Sequence, residues 1–127
     1  MGIVSDSLNS QISSTRASIN QYRADITQYR QGIADAQTAI ANFEEAYSQM
    51  NVLIMETKAV FQGNAADAFE HKLRNYNESV GRLIPLMQKR IKSFERRISE
   101  IESQITLCEV WIGILSALLL TVRFNGM

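Results

Sequence analysis

Hydrophobic side chains recur in this sequence with a period of seven. Ile12, Ile19, Ile26, Ile33 and Ile40 stand seven residues apart, and Tyr47, Ile54 and Phe61 continue the phase. Leu8, Thr15, Tyr22, Tyr29, Ala36, Phe43, Met50 and Thr57 form a second series, reached from the first by alternating steps of three and four. These are the a and d positions of a heptad, which set a long helix in left-handed supercoiled contact with another helix. The segments INQYRAD and ITQYRQG repeat almost letter for letter. The spacing predicts a first helix over about residues 6–60, with Asp6 or Ser7 as its N-cap.

The second half carries its own seam. Phe69, Leu73, Tyr76, Val80, Leu83 and Met87 alternate by four and three, step to Ile91, and resume as Phe94, Ile98, Ile101, Ile105, Cys108, Ile112, Leu115, Leu119 and Val122. Two successive four-residue steps at Leu83, Met87 and Ile91 predict a stutter, a local relaxation of the supercoil. The stutter falls beside Pro85, which removes a helical hydrogen bond. A second helix over about 65–122 follows.

Between the seams lies a predicted turn at about 61–64. Gly63 suits the positive φ that ends a helix, Asn64 suits the next N-cap, and Asp67 places a carboxylate near the positive helix end. Pairing the seams in antiparallel order sets Phe61 against Phe69, Ile54 against Tyr76, Tyr47 against Leu83, Ala36 against Phe94, Tyr29 against Ile101 and Leu8 against Val122. The numbers of facing residues then keep a nearly constant sum, as a hairpin of equal-rise helices requires. The expected fold is all-α: one long, coiled-coil-like antiparallel hairpin forming a single domain, with Phe61 plugged beneath the turn.

Apolar residues off the seam have no partner within such a hairpin. Val52, Met55 and Ala59 form one stripe near the turn, and Leu107, Trp111, Ile114 and Leu118 form another at the open end. The alternative is scattered apolar surface of the ordinary kind. Tryptophan flanked by aliphatic residues favours an interface, and a second helical chain or copy would close a four-helix bundle. Arg16, Arg23 and Arg30 also recur every seven residues beside the seam, where charges select partner and register or simply solvate a helix face.

Composition narrows the function. Thirteen basic and 13 acidic residues cancel across the 127 residues, so electrostatic attraction to nucleic acid is not expected. The cluster of Lys89, Arg90, Lys92, Arg96 and Arg97 is expected to solvate the surface and not to bind nucleic acid. One cysteine, Cys108, forms no intrachain disulfide and supplies no multi-cysteine zinc site. His71, the single histidine, has Asp67 one turn before it, which is too few ligands for a stable metal site. With no phosphate loop and no nucleophile motif, neither catalysis nor a cofactor is expected. The N-terminus lacks the basic head and apolar run of a conventional secretory signal. The apolar run from Val110 to Val122 is shorter than the roughly 20 residues of a bilayer span, so a tail resting on a membrane is the lesser reading.

A hairpin turning at Phe61-Gln62-Gly63 and followed by Ala65, Ala66 and Phe69 resembles the WXG superfamily of Gram-positive type VII secretion. There a Trp-x-Gly turn precedes a small-Ala-x-x-Phe helix start; here phenylalanine replaces the tryptophan. The chain is similar to the small helical proteins encoded beside LXG-domain toxins. The superfamily's Tyr-x-x-x-Asp/Glu export signal has no counterpart, since Val80 follows Tyr76 at that spacing. The resemblance implies a targeting partner for an LXG-type effector or another WXG-like chain. It also implies that Phe61, Gly63, Asn64, Ala66 and Phe69 are turn residues, and that the protein is cytoplasmic before export in company with its partner. The rival expectations are a scaffold that self-associates as a dimer and a membrane-active helix pair.

Overall fold

A computed structural model describes residues 2–125. Helix α1 runs Gly2–Val60 and helix α2 runs Asn64–Asn125, with no strand among the described residues. The fold is an all-α antiparallel hairpin. Helix α1 contains no proline, and α2 contains only Pro85, so almost every residue can contribute to the helical hydrogen-bond ladder. Because α1 begins at Gly2, Asp6 and Ser7 lie inside it and do not cap it.

The turn is short. The Phe61 amide donates to the Thr57 carbonyl at 2.8 Å, continuing the ladder of α1 by one residue. Gly63 then takes φ 108°, a conformation open to glycine. Its carbonyl accepts from the Asp67 amide at 3.0 Å, the first bond of α2. Gly63 is therefore the N-cap and Asn64 the first helical residue, one position earlier than the sequence suggested. Phe61 is not a buried plug: it is 62% exposed. Across from it stand only Ala65, Ala66 and the equally open Phe69, which leave a hollow of about 390 Å³ instead of a closed core.

The contacts divide the described residues into two compact units, one of residues 2–30 with 95–125 and one of residues 31–94. In the first, Leu8, Ile12, Leu115 and Leu119 form a buried cluster flanked by Ile112 and Val122. Ile19, Ile26, Ile98 and Ile101 are buried as well. Each such side chain contributes about 1.5–3 kcal/mol on leaving water. The Arg97 guanidinium hydrogen-bonds Glu100 and Tyr29 and is held above its ordinary pKa by them.

In the second unit α1 keeps most of the expected seam, with Ala36, Ile54 and Thr57 buried, although Tyr47 and Phe61 are exposed. Helix α2 does not. Tyr76, expected to face Ile54, is 62% exposed, whereas its neighbour Asn77 is 4% exposed. Phe69 and Leu83 are also exposed, and Glu70 and Ile84 turn partly inward in their place. The inward positions of α2 therefore run Glu70, Leu73, Asn77, Val80, Ile84, Met87, Ile91 and Phe94, in alternating steps of three and four. The expected stutter is absent, and the seam pairs Phe61–Phe69, Ile54–Tyr76 and Tyr47–Leu83 are not formed. Two polar contacts accompany this register. The Asn77 amide donates to Asn51 Oδ1 at 2.7 Å and to the Tyr47 carbonyl at 3.4 Å, and Glu70 is paired with Arg74 at 2.8 Å.

Candidate interaction surface

A two-helix hairpin has two edges, one on either side of its seam, and in each unit these edges differ in chemistry. In the first unit, one edge carries ion pairs between the helices. Arg23 meets Glu109 at 3.6 Å and Arg30 meets Glu102 at 3.7 Å. Both arginines and both glutamates are spaced by seven, so the pairs repeat once per heptad. All four groups are more than half exposed, so each pair contributes at most about 1 kcal/mol. Two of the three arginines, expected either to select a partner or to solvate a helix face, are thus matched within the chain, and no ion pair engages Arg16 among the described residues.

The other edge of this unit is apolar on α2. Leu107, Trp111, Ile114 and Leu118 are all exposed, Trp111 at 45%. Here α1 offers small polar residues: a shallow hollow is lined by Ser14, Thr15, Ser18, Leu107, Cys108 and Trp111. Serine is too short to cover an indole, so nearly half of the tryptophan stays in solvent. Val110, Leu120 and Phe124 are exposed too. Helix α2 contains a stretch of 18 residues that is long and apolar enough, by length and composition, to cross a membrane, with 11% of it buried. Counting the apolar run from Val110 alone missed Ile105, Leu107 and Cys108, which extend it past the single charge of Glu109.

In the second unit Val52, Met55 and Ala59 are exposed, as expected of residues off the seam. A larger apolar edge went unrecognised in the sequence. Phe61 and Phe69 border one hollow with Thr57 between them, and Tyr76 and Leu83 continue from Phe69 at intervals of seven. Leu53 and Val60, also seven apart, are exposed on α1. The opposite edge of this unit is polar, with Asn51, Arg74, Asn77 and Glu78 lining a small hollow with Tyr47 and Ile54. The available signal was regularity. Extending the unbroken three-four spacing backward from Ile91 reaches Ile84, Asn77 and Glu70 and leaves Leu83, Tyr76 and Phe69 outside. Hydrophobicity had pointed to the other set.

Of the residues with chemical potential, His71 is exposed, and Cys108 is half-buried and unpaired. No group of three or more His, Cys, Asp or Glu side chains gathers among the described residues. Compared with known proteins, the chain matches no family model, no curated protein and no solved structure.

Proposed function

We propose that this chain is a non-enzymatic helical binding protein of a Gram-positive type VII secretion system, a targeting partner for an LXG-type effector or another WXG-like chain. The activity rests on one observation: Leu107, Trp111, Ile114 and Leu118 form an exposed apolar edge on a hairpin whose opposite edge is closed by ion pairs. The pathway rests on the resemblance of the Phe61-Gln62-Gly63 turn and the helix start after it. A partner supplying two helices would cover the apolar edge and complete a four-helix bundle. Each large side chain removed from water there contributes about 1.5–3 kcal/mol before ordering costs. The charged edge sets the direction of approach, since a partner docking there would have to desolvate Arg23, Glu109, Arg30 and Glu102.

The 18-residue stretch of high mean hydropathy in α2 favours a second reading, a hairpin whose open end sits on a bilayer. Against it stands the packing of the same stretch. Leu115 and Leu119 are buried against Leu8 and Ile12, so immersing α2 would either strip that core or carry Gln11, Ser14 and Arg16 into hydrocarbon. Unsatisfied polar groups cost several kcal/mol each there. A self-associating scaffold is the third reading.

One double variant separates the three. Trp111→Ala with Leu118→Ser is expected to weaken capture of a co-expressed LXG-type helical domain while leaving the circular dichroism helical. Loss of liposome flotation with capture intact would establish the membrane reading. A wild-type dimer in sedimentation that the variant converts to monomer, with no capture by either, would establish the scaffold. Capture, flotation and mass all equal to wild type would show the stripe to be idle surface.

A further inference from the structure

The turn-proximal part of α2 carries two overlapping seams. Leu73, Val80 and Met87 belong to both. With them stand either Glu70, Asn77 and Ile84, which face inward in the structure, or Phe69, Tyr76 and Leu83, which are exposed. The two sets are one residue apart. Exchanging them turns α2 about its own axis by about 50°, half the angle between successive residues of a helix.

The observed setting is regular in spacing and poor in chemistry. It leaves two aromatic rings and a leucine in water while burying an asparagine. That asparagine is not satisfied: Asn77 Oδ1 is buried without a hydrogen-bond partner. Flipping the amide does not help, because the nitrogen would then be the stranded atom. The other setting reverses these properties. It covers Phe69, Tyr76 and Leu83 with Phe61, Ile54 and Tyr47 of α1, and it returns Asn77 and Glu70 to solvent.

Its geometric requirement is the pair of four-residue steps at Leu83, Met87 and Ile91, and Pro85 lies within them. Proline has no N–H, so the Gly81 carbonyl lacks the usual bond from four residues on. The ladder is already open where the twist would be absorbed. Gly81 marks the contact that changes. The Tyr47 ring lies against it so closely that a Cβ would stand 3.1 Å from Cε2.

We propose that residues 66–87 of α2 turn between two settings on α1, so that the stripe of Phe69, Tyr76 and Leu83 is stored inside the free hairpin and is presented in the setting observed here. The turn exchanges a covered stripe for an exposed one. It concerns the free protein and stands whichever partner is captured at the open end.

The test uses the full chain with Cys108→Ser, dilute and without a partner. The pair Asn51→Cys with Asn77→Cys reports the observed setting, and Ile54→Cys with Tyr76→Cys reports the other. Both are expected to close as intrachain disulfides. Adding Asn77→Leu to the second pair removes the stranded amide and is expected to slow its closure by about tenfold. Failure of the 54–76 pair to close within one chain overturns the inference, as does closure at a rate indifferent to Asn77→Leu. Should Asn77→Leu misfold, maleimide labelling of single cysteines decides. Two settings make Tyr76→Cys and Asn77→Cys react at rates within about tenfold of each other. Strong protection of Asn77→Cys alone means one fixed setting.

Discussion

The ring of Phe94 lies across Gly32. A Cβ on that glycine would stand 2.8 Å from Phe94 Cε2, closer than two carbons approach without one moving. Ala36, one turn along α1, is buried to 3% exposure, so two small residues of α1 lie inward where the bulky Phe94 of α2 packs on Gly32. Small residues opposite large ones let helices close to the density of a protein interior.

That contact makes two glycine substitutions behave oppositely. Gly113 lies in α2 with nothing within 4 Å of its would-be Cβ, so Gly113→Ala should stabilise by about 0.5–1 kcal/mol through helix propensity alone. Gly32→Ala gains the same propensity but must displace the Phe94 ring, an overpacking cost of about 1–3 kcal/mol. Urea melts of the two variants should shift in opposite directions from wild type. If Gly32→Ala is the more stable, Phe94 moves aside freely and the small-large fit has no energetic weight.

At the turn, backbone and side chain should separate in the same way. Gly63 holds φ 108°, which strains any β-branched residue, and Gly63→Val is expected to cost about 1–3 kcal/mol. Phe61→Ala should cost well below the ~3–5 kcal/mol of a buried phenylalanine, because its ring is mostly in solvent. A fall in Tm for Phe61→Ala equal to that for Gly63→Val would mean that the ring is covered in solution.

Leu115 and the arginines of the charged edge should rank far apart. Leu115 is 2% exposed, and Leu115→Ala should cost about 2–5 kcal/mol. Replacing Arg23 and Arg30 together with glutamine removes two exposed pairs worth about 0.2–1 kcal/mol each. Repeating the arginine measurement in high salt should shrink the difference further. A double glutamine variant less stable than Leu115→Ala would make the ion pairs, and not the apolar seam, the main bond between the helices in that unit.

The sequence by itself determined the fold class, the position of the turn and the seam of α1 apart from Tyr47 and Phe61, which are exposed. Period-seven spacing fixes a helix face without reference to its partner, and Gly63 is the residue a positive φ selects. It also determined which residues of the open end stay outside: Leu107, Trp111, Ile114 and Leu118 lie off the seam that continues through Ile112, Leu115 and Leu119, and all four are exposed. The face of α2 near the turn was decided only by tertiary structure. There the sequence offers two sets one residue apart, and counting hydrophobic residues selects Phe69, Tyr76 and Leu83. The packed hairpin takes Glu70, Asn77 and Ile84, because a rigid helix continuing the regular seam from Ile91 carries them inward and Asn51 is placed to receive the Asn77 amide at 2.7 Å. Local hydrophobicity is a property of each residue, whereas register is shared along two helices, and at this end the shared constraint prevailed.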